Sequence, residues 1–574
     1  MFRITALLVS CIALAAAIPN AQAERPLTRQ TAFGPIVGVD DSAASGSYFW
    51  KGVPFAKPPA GDLRWKAPVD PQPWREPKLT QSFGNACVQY GRIYGPGANN
   101  RYDLTIASTL NQAVGQEDCL YLNIWRPATN QGGLPVIIFV HGGSNVSGYT
   151  ADPVYDGAAL AKKANAVVVS VNYRLGIFGF LSVPQLKSGT DPIEDSGNFA
   201  LLDIVKALQF IRQNVSNFGG NPANITLTGQ SAGAINVYAM LTSPLTVNAR
   251  PQLFQRAAAF SGGISLASEL PPGSIPTLSP ASVYLLQGNT LLTQQLIVDG
   301  LATDVASAQA YIASHSSAEI AAYLRSRTPS ALLFTLLAKL AALGLAGSGP
   351  IPDGAVLPVD PVKSIAAGQY VKVPFLASNA RDEAKLFPTF LPLVGGPFPV
   401  RLVSDAQLFT IQFNYDPNAA PQVTIGQWIN AAYLPVTTPV TGFNAMTDKL
   451  NSVFFIPSRN NVLDALRGQQ DEVWYYRFDW DREPAPFDDI YGAAHAFDLP
   501  FLFGNFGPSL FSNIANSHAN EPGRLDLSDA MMRSLGAFAR KGDPNDRVLG
   551  VFWPAWPSQL NFDASDSAAQ ISVQ

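Results

Sequence analysis

Short apolar runs recur along the chain between segments of helical spacing. Residues 136–140, 167–171 and 224–228 read as strands. The first two are apolar at nearly every position, which fits strands buried on both faces of a sheet. Residues 373–377 and 473–478 are later candidates. Between the second and third runs, residues 199–211 place Leu201, Leu202, Val205, Leu208 and Ile211 one helical turn apart. Strands alternating with helices predict the α/β class, with a mainly parallel central sheet flanked by helices. No repeat of fixed period and no run of like charge occurs.

Two stretches read as large insertions over that sheet. Residues 265–348 are largely helical in pattern, and residues 388–446 are rich in Pro, Phe and Thr. Within the first, residues 331–345 carry one charge, Lys339. A buried helix is the simpler reading, and an apolar lid or pocket wall is the alternative.

The first segment is an address. Arg3 precedes an apolar run from Ile4 to Ile18, and Ala21-Gln22-Ala23 supplies a small-residue cleavage site. Fifteen apolar residues are short for a membrane span, so residues 1–23 are expected to direct export, to a periplasm or outside the cell. No stable membrane insertion is expected. Residues 24–574 then form a single domain. Removing residues 1–23 leaves 37 basic and 42 acidic residues, and the two cysteines Cys87 and Cys119. In an exported chain such a pair suggests one disulfide. By restricting the unfolded chain it would contribute about 4 kcal/mol.

Composition narrows the function. At 47% hydrophobic and 14% charged, the 574-residue chain is neither disordered nor a coiled coil. There is no basic stripe, so no nucleic-acid partner is expected.

The chemistry begins at Gly229-Gln230-Ser231-Ala232-Gly233. Alone this pentapeptide is a weak signal, since Gly and Ser are common. Its setting strengthens it, between a predicted strand and a helix that runs through Ala234, Val237, Tyr238 and Leu241. A sharp turn there would lift the Ser231 hydroxyl out of the fold, and a base must activate it. After the 136–140 strand comes His141-Gly142-Gly143-Ser144-Asn145. Its small residues can aim N–H groups at one point, and with the N–H of Ala232 they would stabilise an oxyanion. His141 reads as structural. The base must come from His141, His315, His495 or His518. His495, in a loop after the 473–478 strand, is best placed. The acid should lie between Ser231 and His495 in the chain. Glu383 is a good candidate, and Asp382 rivals it from spacing alone.

Further motifs carry a resemblance. They are residues 49–65, with Gly52-Val53-Pro54-Phe55-Ala56, and residues 117–125, with Glu117-Asp118-Cys119-Leu120. Asn172-Tyr173-Arg174-Leu175-Gly176, Phe218-Gly219-Gly220-Asn221-Pro222 and Gly542-Asp543-Pro544-Asn545 follow in order. The chain resembles the type-B carboxylesterase, or cholinesterase-like, family over nearly all of its exported part. The resemblance implies an α/β-hydrolase fold and a triad of Ser231, Glu383 and His495. It implies oxyanion donors at Gly143, Ser144 and Ala232, and a disulfide between Cys87 and Cys119. Asp382 then becomes a neighbour of the acid.

The sequence departs from the family at Gln230, where Glu is usual, and at Ser144, where the usual residue is Gly or Ala. Ala384 and Ala496 also stand where Gly is usual after the acid and the base. The 87–119 loop has Tyr90, Tyr94 and Tyr102 but no Trp for a choline group, so a choline ester is not expected. The expected activity is hydrolysis of a small, neutral, largely apolar carboxylic ester through an acyl-enzyme, without metal or organic cofactor. A lipase, or an amide or carbamate hydrolase, on the same triad is the alternative. A non-catalytic adhesion module is the reading from another class. Natural substrate and oligomeric state stay open. Asn145, Asn214 and Asn224 fit the glycosylation sequon.

Overall fold

The computed structural model describes residues 27–574, so the expected export segment, 1–23, lies outside the described residues. Eleven strands build one sheet. In chain order they are β1 (Val39–Asp41), β2 (Ser47–Pro54), β3 (Tyr121–Pro127), β4 (Leu134–Val140), β5 (Val167–Val171) and β6 (Gly220–Gln230). Then follow β7 (Arg256–Phe260), β8 (Phe375–Ala380), β9 (Val473–Phe478), β10 (Leu560–Ala564) and β11 (Ala569–Val573). Across the sheet the order is β11-β10-β9-β8-β7-β6-β4-β5-β3-β2-β1. From β10 to β5 all neighbours are parallel, and both edges are antiparallel.

The predicted strands are all present within one to three residues at their ends, apart from β6, which begins earlier. Their apolar continuity has a direct cause. In β4, Leu134, Val136, Ile138 and Val140 enter the core on one face, and Ile137 and Phe139 enter the core on the other. Helices cover both faces: α1 (Ala158–Ala164), α2 (Phe199–Asn214) and α3 (Ala232–Thr242) early in the chain.

The first insertion is helical as expected: α4 (Ala281–Val298), α5 (Val305–Ser314), α6 (Ser317–Ser326) and α7 (Pro329–Thr335). It has a small core of its own. Leu332, Leu333, Leu336 and Leu340 pack there with Leu291 and Leu292 of α4. Residues 331–345 are therefore an amphipathic segment, with Phe334 and Leu343 turned outward. Its helix gives way to a π turn at Leu336–Leu340. The second insertion holds α8 (Asp405–Asn414) and leads into α9 (Phe443–Arg467). Near the end of the chain, α10 (Glu521–Lys541) packs on α1 and β10.

Cys87 and Cys119 are paired, with Cα atoms 4.9 Å apart. The motifs of the 172–176 stretch are structural. Arg174 makes a buried two-pronged contact with Asp203, both bonds 2.8 Å. Tyr173 donates its hydroxyl hydrogen to the carbonyl of His141 at 2.8 Å. Among the described residues, no helix is long and apolar enough to cross a membrane.

Candidate active site

Parallel strands deliver their following loops to one edge of the sheet, where ligands of open α/β sheets gather. Here that edge receives residues 141–148 after β4, Ser231 after β6, Glu383 after β8 and the loop to His495 after β9.

β6 ends at Gln230 and α3 begins at Ala232, leaving Ser231 alone in the turn with φ 58° and ψ −123°. Such a conformation costs about 1–3 kcal/mol in a residue with a side chain and collects at functional sites. The surroundings hold it. Ser231 N donates to Phe260 O at 2.8 Å, and Ser231 O accepts from Ile235 N at 3.1 Å. The flanking glycines are steric necessities. A Cβ on Gly229 would lie 2.4 Å from Gly233 O, and one on Gly233 would lie 2.0 Å from Val140 O.

Glu383 and His495 meet deep in the protein, 1% and 3% exposed. Glu383 Oε2 contacts His495 Nδ1. Glu383 Oε1 accepts from Asn379 Nδ2 and from Ala380 N, each at 2.9 Å. A carboxylate on Nδ1 makes that nitrogen the donor and leaves Nε2 with its lone pair. Gln230 Nε2 donates to this lone pair at 3.1 Å. Among the described residues, no hydrogen bond links His495 to the hydroxyl of Ser231, the residue after Gln230.

Asp382, the rival from spacing, faces elsewhere. Its Oδ2 accepts from Arg381 Nη2 at 2.8 Å and from Ala493 N at 3.1 Å, and Lys385 Nζ lies 3.9 Å away. It clamps the loop that carries His495. Gly492 in that loop has φ 51°, and a Cβ there would sit 2.8 Å from Asp382 Oδ2. Asn451 of α9 secures the acid's turn, accepting from Ala384 N at 2.8 Å.

Gly143, Ser144 and Asn145 all have positive φ, at 102°, 57° and 57°. Gly143 is required, since a Cβ would lie 2.1 Å from Ser147 O. Among the described residues, no carbonyl accepts from the N–H of Gly143, Ser144 or Ala232. Ala232 opens α3, so its N–H is one of the free donors of the first turn. Asn145 is tied to α3 through Asn236 Nδ2 at 2.9 Å. The Asn145 and Asn214 side chains are buried and hydrogen-bonded, which closes those two sequons to a glycan.

The other histidines are elsewhere. His141 is buried against Tyr173, with ring centres 4.7 Å apart, and burial lowers its pKa to about 4. His315 caps α5 and stacks on Tyr311. His518 is exposed near Glu521.

Two features had no signal in the sequence reading. The first is a wall of rings. Phe387 and Phe455 lie 5.0 and 5.6 Å from the His495 ring, centre to centre. Phe454 and Phe390 extend the wall outward, and Phe390 is 40% exposed. Phe454 and Phe455 come from α9, far from any motif. The second feature is Asp498, wholly buried, accepting from Tyr476 OH at 3.2 Å. Among the described residues its Oδ1 has no hydrogen-bond partner. Burial first, and then the charge of Glu383, push its pKa up to about 7.

A raised carboxyl pKa favours folding below the ordinary range near 4, and that contribution is lost as pH climbs through the folded value. Asp498→Asn keeps the shape and removes the titration. Urea unfolding should show the variant gaining on the wild type from pH 5 to pH 8, by up to about 3 kcal/mol.

Known proteins share sequence and fold with this chain. The profile of the carboxylesterase family matches residues 25–274 and 283–569. Para-nitrobenzyl esterase of Bacillus subtilis (strain 168) is 31% identical over 528 residues, covering 92% of each chain. Fumonisin B1 esterase of Sphingopyxis macrogoltabida is 31% identical over 549 residues, covering 94% of this chain and 87% of that one. The solved structure of a Geobacillus stearothermophilus carboxylesterase superposes with a TM-score of 0.67 at 25% identity, over 96% and 98% of the two chains. The sheet with its helices is thus the α/β-hydrolase fold, and the chain belongs to the carboxylesterase family, as a carboxylic ester hydrolase.

Proposed function

We propose that this protein is an exported serine carboxylesterase for neutral, largely apolar esters. The observation that carries the substrate preference is the wall of Phe387, Phe455, Phe454 and Phe390 beside His495. Apolar rings reward an acyl or aryl group that leaves water, and they offer no hydrogen bond to a carboxylate or other anion. A relative named for para-nitrobenzyl esters fits the same preference.

The proposed mechanism has two steps. His495 Nε2 takes the Ser231 proton as Oγ bonds to the ester carbonyl carbon. The oxyanion is met by the N–H groups of Gly143, Ser144 and Ala232. Glu383 holds Nδ1 and balances the imidazolium. The C–O bond to the alcohol then breaks, and His495 returns the proton to the alcohol. Water repeats the sequence and releases the acid.

Residues 1–23 are read as a signal peptide, followed by one catalytic domain over 24–574. The pairing of Cys87 with Cys119 suits the oxidising compartment that export implies, a periplasm or the cell exterior.

Nitrophenyl esters of increasing acyl length test the substrate class. Turnover is expected to peak on short to medium soluble chains. A maximum on long chains, rising above their solubility limit, would replace this reading with a lipase.

A further inference from the structure

The Gln230 side chain, 2% exposed, is spent on the base itself. Its amide nitrogen lies 3.1 Å from His495 Nε2, the atom that must accept the Ser231 proton. Its Oε1 lies on the other side, where a Cβ on Gly142 would come within 2.8 Å of it. The absence of a side chain at Gly142 thus leaves room for this amide. An amide N–H bonds the Nε2 lone pair, and in this orientation of the amide it has no place for a proton on Nε2.

We propose that Gln230 is a positioning residue that holds the His495 ring aimed through its Nε2 lone pair in the resting enzyme, and yields Nε2 to the Ser231 proton when an ester enters. This rests on the assignment of Ser231 and His495 above.

Other side chains face His495 from the elements packed around it. Glu383 contacts Nδ1 from the turn after β8. Asp498, three residues along the chain, is buried close by and held by Tyr476 of β9. Asp382 grips the loop from beneath, together with Arg381 and Lys385. Phe387 and Phe455 close the remaining sides without charge. Among the described residues, Gln230 supplies the side-chain hydrogen bond on Nε2. A Glu in its place would add another acceptor and a negative charge, and would hold the proton on Nε2.

The experiment compares kcat/KM against pH on one nitrophenyl ester for the wild type, Gln230→Glu and Gln230→Met. Met keeps the length of the side chain and removes the hydrogen bond. The acid limb is expected to move to higher pH in both variants, by about one unit or more with Glu and less with Met. The alkaline plateau should fall less than about tenfold, since no reacting group is lost. Coincident acid limbs in the wild type and Gln230→Met, whatever the plateau, would overturn the proposal. So would a downward shift in Gln230→Glu. Ser231→Ala is run beside them. Turnover that survives in Ser231→Ala would overturn the assignment of the nucleophile, an outcome separate from failure of the Gln230 proposal alone.

Discussion

Ser231→Ala is expected to remove ester hydrolysis almost completely, by about a million-fold in kcat, while the melting temperature stays close to that of the wild type. The magnitude follows from the proposed mechanism, in which the Ser231 hydroxyl forms the acyl-enzyme. The small structural effect follows from the turn. Ser231 is held by its backbone, through Phe260 O and Ile235 N, and among the described residues its hydroxyl has no hydrogen bond to His495. Alanine must still adopt φ 58°, as serine does, so the strain is common to both. Kinetics on a soluble nitrophenyl ester, with thermal melts of the same samples, check both parts.

Glu383→Gln should lower kcat by about ten-thousand-fold, and Asp382→Asn far less. Glu383 Oε2 faces His495 Nδ1, and Asn379 Nδ2 and Ala380 N both donate to Oε1. A Gln side chain would put an NH2 group against one of these donors. To relieve that clash, either the amide turns away or the imidazole takes the wrong tautomer. The balancing charge on the imidazolium is lost as well. Asp382 instead holds Ala493 N, Arg381 and Lys385. Its amide should loosen the His495 loop, and the cost should appear mainly in stability. Equal losses of kcat in the two variants would contradict this division of roles.

The fold was legible because its strands are buried on both faces. Residues 136–140 and 167–171 are apolar throughout for that reason, and parallel neighbours follow from the helices between them. The Ser231 turn was legible because Gly229 and Gly233 are dictated by carbonyls a few ångströms away. The separation of Glu383 from Asp382 was not legible from spacing, since adjacent residues differ only in which way the turn aims them. The resemblance to the family selected Glu383, whose Oε2 contacts His495 Nδ1. The ring wall was hidden because Phe454 and Phe455 lie on α9, remote in the chain from the motifs and brought beside His495 by the docking of that helix. Asp498 was closer to view, a carboxyl three residues beyond the base, but its effect depends on burial that sequence does not reveal. Gln230 stood out as a departure from the family, whereas its contact with His495 Nε2 required coordinates.

The most direct test of Ser231 as the nucleophile is covalent capture by an alkyl fluorophosphonate, which loses fluoride as it bonds to an activated serine. Intact mass should show one adduct per chain as activity disappears, and peptide mapping should place it on Ser231. The Ser231→Ala protein should remain unlabelled. An adduct on a different residue, or full inactivation without an adduct on Ser231, would contradict the assignment.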